Sequence, residues 1–516
     1  VLDREGLDWW ELTSLLIHAE LETVLALQRL APTFSSSGEI FTTRRGWTIA
    51  ALEILLNRKI TTVPGAGRIK LAGRVGRYRA LWRRFSLQQL TEIFLDKHDT
   101  DLRWRAKLNV RRRRSGEPFV LVPSAYTNVS RMAAAYARLA PEVLFLLVYT
   151  RGSGRQLVRP DNMSLTSLAA YAGGPRSSSE HATVQREWQV LKADLEHVPE
   201  IKLLARLGTL GPFTKWLSDG LAIRDAWIEV FRREPVQAVL CGDDSNWYTR
   251  LPVLLARKRG LPTIDFHHGA LDGRFLLKDL ASDIYLAKSE MELDYLTRVC
   301  AISKERIVIG GPSRLDPPVA GHNERERGGS IVFFSEPYEA AGGRPEDLYG
   351  ELLPPLAALA ANYGKSLVVK LHPFESASDR KALVQQVLPA DLQKAVRVRS
   401  GPLEERLLNE TWFGVTVEST TVIECAQRGI PCFIAGWLAT SLFGYVQQYA
   451  AFGLGQILQS ADQLADLPGL LARQSEAQAS EGGLWQPIDR GKFRWLLTGG
   501  HRSQLPQPEP AHIHES

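Results

Sequence analysis

Long apolar runs are missing from this chain of 516 residues. None approaches the roughly 20 residues that a membrane-crossing helix needs, and no signal-peptide pattern is visible. Work at a membrane would therefore be done from its surface. Cysteine is scarce: Cys241, Cys300, Cys425 and Cys432 are the four present. They share no metal-ligand spacing, and Cys241, Cys425 and Cys432 sit in apolar contexts. The expectation is reduced core thiols of a cytoplasmic protein, with no bound metal. A large excess of one charge is missing too, since 63 Lys and Arg face 57 Asp and Glu for a net charge of +6. The basic residues are concentrated locally, which points to a local anionic partner and away from wholesale nucleic-acid binding. The remaining class is a globular chain long enough for two domains.

What is present is a series of buried-strand patterns, each ending in chemistry-bearing residues. Ser366 to Glu375 reads S-L-V-V-K-L-H-P-F-E, an apolar β-branched run that surfaces at Lys370, His372 and Pro373. In open α/β sheets the ligand crevice lies at the carboxyl ends of strands, so this ending suits an anion, most simply a phosphate. His372 can donate to a phosphoryl oxygen, and Pro373 stops the strand. The alternative is a histidine satisfied by a backbone carbonyl. A second such ending runs from Trp412 into Glu418, Ser419, Thr420 and Thr421, followed by a helix, Gly429 and another apolar strand. Serine or threonine there can cap the helix or bind phosphate through its hydroxyl and the exposed N–H groups. Two anion-suited strand ends in one α/β unit favour a nucleotide site.

Earlier in the chain, V-Q-A-V-L-C-G-D-D delivers Asp243 and Asp244 to a strand end, with Ser245 placed to begin the next helix. A carboxylate there can act as a general base or as a nucleophile, or simply cap the helix. The strand Pro262 to Phe266 ends in His267, His268 and Gly269, with Arg274 in the loop beyond. Gly269 would allow a tight turn close to a ligand. Acid/base or acceptor-binding work falls to His268, and sugar or acceptor contacts to His267 and Arg274.

Other segments set the organisation. Glu39 to Pro64 reads as one βαβ unit. Arg68 to Phe85 carries six arginines and no acid on a helical apolar pattern, and Arg111 to Arg114 adds a basic cluster. Contact with anionic lipid and plain surface packing are both open for these segments. Asp99-Thr100-Asp101 reads as a solvated turn rather than a metal motif. Strands are expected at Phe119 to Pro123, Val143 to Tyr149, Ile284 to Ala287 and from Ile307, with mainly helix from Leu165 to Ser218. A polar linker, Pro317 to Gly329, separates domain 1–318 from domain 330–498, and 499–516 reads as a disordered tail.

Two Rossmann-like domains facing across a cleft describe the GT-B architecture. The set G-D-D at Gly242 to Asp244, H-H-G at His267 to Gly269, G-G-P-S-R-L-D at Gly310 to Asp316, K-L-H-P at Lys370 to Pro373 and E-S-T-T at Glu418 to Thr421 resembles bacterial surface-polysaccharide transferases with cytidine-nucleotide donors. These include sialyltransferases, the Kdo transferases of capsule and lipopolysaccharide O-antigen and, more distantly, CDP-glycerol glycerophosphotransferases. The resemblance implies Asp244 or Asp243 as the catalytic carboxylate, His372 on the donor phosphate, and Ser419 and Thr420 at or near it. Ser245 stands where the sialyltransferase motif has glycine, which leaves the choice of aspartate open. In the glycerophosphotransferases a His-Gly carries the base, matching His268 and Gly269. It also implies a metal-independent transferase with no cofactor beyond its CMP-sugar co-substrate. The expected reaction moves Kdo or another ulosonic acid from CMP to a glycan or glycolipid. The alternatives are glycerophosphate transfer from a CDP donor and a non-catalytic subunit of a polysaccharide assembly complex. S-E-P-Y-E and K-L-H-P-F-E-S tilt the comparison towards the capsule and O-antigen enzymes.

Overall fold

The computed structural model describes residues 1–14, 16–34, 38–42, 46–63, 91, 94–95, 98–99, 102–108, 116–150, 153–154, 157–173, 178–244, 246–271, 280–312, 329–338, 344–372, 375–401, 403–439, 444–474 and 483–500. The basic segments Arg68 to Phe85 and Arg111 to Arg114, residues 317–328 of the expected linker, and 501–516 of the tail lie outside them, as do Ser245, Arg274 and Pro373.

Apolar, β-branched hexamers and pentamers such as F-V-L-V-P-S and S-I-V-F-F are buried along their whole length, as strands covered on both faces must be. They build two parallel sheets, which is the α/β class expected. The smaller elements come first. β1 (Phe41–Thr42) and β2 (Thr61–Thr62) pair in parallel around the helix Trp47–Leu56, so the expected βαβ unit exists as a separate two-stranded ribbon.

The seven-stranded sheet contains β3 (Phe119–Ser124), β4 (Phe145–Tyr149), β5 (Met163–Ser167), β6 (Val236–Cys241), β7 (Thr263–Phe266), β8 (Ile284–Ala287) and β9 (Ile307–Ile309), in the order β5-β4-β3-β6-β7-β8-β9. The six-stranded sheet contains β10 (Ser330–Phe334), β11 (Ser366–Lys370), β12 (Val396–Arg399), β13 (Thr411–Thr416), β14 (Cys432–Ala435) and β15 (Gln456–Leu458), in the order β12-β11-β10-β13-β14-β15. Both are doubly wound. The chain starts mid-sheet, builds to one edge, then returns and builds to the other, leaving a switch point between β3 and β6 and another between β10 and β13.

Three strands differ from expectation. β5 occupies the start of a stretch read as helical, and β12 and β15 were not foreseen. All three are edge strands, where burial on both faces is not required and the apolar signal weakens. β12 reads V-R-V-R, with none of its residues fully buried. Asp99 is a further correction: it is buried, not solvated, and accepts the Trp104 N–H at 3.0 Å.

By compactness the chain divides into one unit of residues 1–130, 144–157 and 163–263, and a second of 131–143, 158–162 and 264–516. In the first, the helix Phe213–Arg233 is central. It buries Arg224 completely, against Asp3 at 2.7 Å, Glu180 at 2.6 Å and Asp225 at 2.6 Å. In the second, strand alternation splits the core of the six-stranded sheet in two. Ile331, Phe333, Leu367 and Val369 face the helix Pro345–Asn362, while Val332, Phe334, Val368 and Ile434 pack on the opposite side with Met291, Tyr445 and Tyr449. The four cysteines are buried and form no disulfide.

Candidate functional site

Register decides which strand endings meet. Phe334, the last residue of β10, lies opposite Lys370 on β11 and opposite Thr416 on β13. The K-L-H turn, the Ser335-Glu336 pair and the E-S-T-T turn therefore emerge level with one another at the carboxyl edge, around the switch point.

Side chains tie these three endings together. Ser335 donates to Glu375 Oε1 at 2.8 Å, and its oxygen lies 2.8 Å from the Tyr349 hydroxyl. Glu375 Oε2 accepts the His372 backbone N–H at 2.7 Å, and Oε1 accepts from Arg380 Nε at 2.6 Å. On the other side, Glu336 Oε1 accepts from Thr416 Oγ1 at 3.0 Å and from the Glu418 N–H at 2.9 Å. Burial pushes the Glu336 carboxyl up to about 7, helped by the nearby charges of Glu418 and Glu375 and opposed by those two hydrogen bonds.

The sequence-named residues take distinct places here. His372 is half-buried, and burial, then the Lys370 charge, holds its imidazole below the ordinary value. It is a neutral ring at physiological pH, a donor through one N–H. Lys370 turns inward. Its ammonium donates to Leu371 O at 2.9 Å and Gly401 O at 2.8 Å, and burial lowers its pKa. Two of its three donors thus pin the turn instead of projecting from it. Ser419 receives the Thr421 N–H on its hydroxyl at 3.3 Å and gives its own N–H to Thr416 Oγ1 at 3.3 Å. Thr420 makes no side-chain cap bond. Sequence reasoning missed Glu336, Glu375 and Arg380. The first two lie inside S-E-P-Y-E and K-L-H-P-F-E, but which strand ends adjoin is a long-range fact that local pattern does not carry.

The other two endings are built as firmly. In the first unit, Asp243 and Asp244 follow β6 and are both buried. Asp244 Oδ2 lies 3.5 Å from Arg250 Nη1, and the same guanidinium reaches Glu11 Oε1 at 2.6 Å. Asn246, not Ser245, caps the next helix: its side chain accepts the Tyr248 N–H at 3.0 Å and donates to the Tyr126 hydroxyl at 3.0 Å. In the second unit, His267 is buried and His268 half-buried beside it, with ring centroids 4.6 Å apart. Lys288, at the end of β8, donates to His267 O at 2.9 Å and Gly269 O at 3.3 Å, and pairs with Glu292 at 2.6 Å. A Cβ added at Gly269 would meet only His267 Nε2, at 3.7 Å, so this turn does not require glycine.

No protein-family model and no curated protein matches the chain. Solved structures overlap it at low identity. UDP-GlcNAc 2-epimerase from Methanocaldococcus jannaschii shares 10% identity at a TM-score of 0.48, over 74% of this chain and 99% of that one. The Neisseria meningitidis UDP-GlcNAc 2-epimerase bound to UDP-GlcNAc shares 11% at 0.45, over 75% and 100%. The calicheamicin glycosyltransferase CalG4 shares 13% at 0.40, over 77% and 100%. Among the described residues, no helix is long and apolar enough to cross a membrane.

Proposed function

We propose that this chain is a metal-independent glycosyltransferase of GT-B type that moves Kdo or a related ulosonic acid from a CMP donor to a bacterial surface glycan or glycolipid. The observation that carries this reading is the meeting of the K-L-H, S-E and E-S-T-T endings around one switch point of a doubly wound sheet, the place where such sheets hold nucleotides.

The chemistry follows from the groups present. Departure of CMP leaves charge on a single phosphate, which fixed donors can stabilise without a metal. A neutral His372 supplies an N–H that needs no charge, and the Ser419 and Thr420 hydroxyls supply two more donors. Lys370, locked by two carbonyls, holds the turn and adds positive potential beneath it. In the other half, Asp243 or Asp244 would deprotonate the acceptor hydroxyl or attack the anomeric carbon. Arg250 Nη1 lies 3.5 Å from Asp244 Oδ2 and would hold that carboxylate in place. His267, His268 and Arg274 serve the sugar or the acceptor. Contact with a lipid-borne acceptor falls to Arg68–Phe85, from the cytoplasmic face of the membrane.

Incubation with CMP-Kdo, CMP-sialic acid, CDP-glycerol and UDP-GlcNAc, with free nucleotide as the readout, tests this. The reading expects CMP release from a CMP-ulosonate, lost when Asp243 and Asp244 are both changed to Asn. Release from CDP-glycerol that depends on His268 instead would replace sugar transfer with glycerophosphate transfer. Release from none, with no nucleotide bound, would leave a non-catalytic subunit.

A further inference from the structure

Resting on the proposal that a nucleotide phosphate binds beside β13, we infer that Glu336 is a proton-linked gate on that crevice: the phosphate binds with Glu336 neutral, and ionisation of Glu336 opposes it.

The hydrogen-bond arrangement around Thr416 accommodates a neutral Glu336. Thr416 has one hydroxyl proton and two acceptors in reach, Phe334 O at 3.1 Å and Glu336 Oε1 at 3.0 Å, while its oxygen also receives the Ser419 N–H. A protonated Glu336 resolves the competition. Protonated on Oε1, the oxygen in reach, it donates to Thr416 Oγ1, Thr416 donates to Phe334 O, and the Glu418 N–H meets a remaining lone pair of the same Oε1. Ionised, Glu336 would take the Thr416 proton away from the Phe334 carbonyl.

The surrounding charges agree. Glu418 faces Glu336 from the end of β13, Glu375 faces it from the turn after β11, and the Tyr338 hydroxyl lies on its own turn. Tyr349, from the helix Pro345–Asn362, enters the group through Ser335. Cations are committed elsewhere: Arg380 to Glu375, Lys370 to two carbonyls. Among the described residues no cation pairs with Glu336. Burial has already raised this carboxyl into the physiological range, so an incoming phosphate, one more anion, raises it further. By linkage, binding takes up a proton, and affinity falls by about tenfold per pH unit above the carboxyl's pKa.

The probe is the 5′-O-methyl ester of CMP, a phosphodiester with no ionisation of its own between pH 6.5 and 8.5. Calorimetric titration of the whole chain should show the dissociation constant rising about tenfold per unit above pH 7.5, with Glu336→Gln flat at the wild type's low-pH value. In two buffers of different ionisation enthalpy, the wild type should take up close to one proton per ligand at pH 8. That readout needs no variant. Binding with the same pH dependence in both proteins, or with no proton uptake, overturns the gate and leaves the nucleotide site standing. Absence of binding at every pH in both proteins overturns the gate together with the site.

Discussion

Glu375 holds the backbone of His372: its Oε2 accepts the His372 N–H at 2.7 Å while its other oxygen takes Arg380 Nε at 2.6 Å. The side chain that fixes the candidate phosphate-binding histidine is itself fully buried, so the turn depends on a charge with no access to water. Removing Arg380 leaves that charge unpaired. Arg380→Met should cost about 3 kcal/mol in urea unfolding, and Glu375→Leu with Arg380→Met less than the sum of the single changes. Equal additivity would show that the two groups are not coupled.

Lys288 plays the corresponding part for the paired histidines. Its ammonium joins Glu292 to two turn carbonyls, and the Tyr445 hydroxyl adds a weaker bond to Glu292 at 3.4 Å. Lys288→Met strands a wholly buried carboxylate and should cost about 3 kcal/mol. Adding Glu292→Leu should return at least about 1 kcal/mol of that loss, read from denaturant midpoints at unchanged slope.

Two glycines in helices should respond in opposite directions to alanine. At Gly220 a Cβ would lie 2.3 Å from Trp9 and 2.5 Å from Trp247, so Gly220→Ala should destabilise by about 1–3 kcal/mol. At Gly350, in the helix Pro345–Asn362, nothing lies within 4 Å of the added Cβ. Gly350→Ala should stabilise by up to about 1 kcal/mol through helix propensity. Thermal unfolding distinguishes the two.

Glu336 also makes stability depend on pH. Its folded-state pKa, about 7, is raised above the unfolded 4.5, so the folded protein binds more protons between those values. The contribution is fully present below about pH 4.5 and is lost as pH rises through 7. The stability difference between wild type and Glu336→Gln should therefore move against the wild type by about 2–3 kcal/mol between pH 5 and pH 8. A constant difference across that range would mean that Glu336 titrates normally.

Much of the fold was legible because buried parallel strands advertise themselves. F-V-L-V-P, V-L-F-L-L-V-Y and S-L-V-V-K are apolar on both faces, and each became a strand. V-R-V-R at Val396–Arg399 alternates cleanly but did not announce itself, since four residues make a short signal and an edge strand need not be buried. The candidate site was legible where a residue type alone suggests chemistry, as with His372 or Asp244. It was illegible where the chemistry comes from a neighbour on another strand. Lys370 reads as a phosphate ligand until its nitrogen is seen between Leu371 O and Gly401 O. Glu336 reads as an ordinary acid until β13 is placed beside β10. Sheet order, set by packing far apart in sequence, supplies what spacing could not.

The most direct test of the central claim is a thermal-shift titration of the whole chain with CMP, CDP, UDP, GDP and ADP. Ligand at a hundredfold excess over its dissociation constant adds about 2.7 kcal/mol of stability. The account predicts an upward shift for CMP above the others, abolished by His372→Ala. A shift for UDP or GDP but not CMP, or none with any nucleotide, would contradict it.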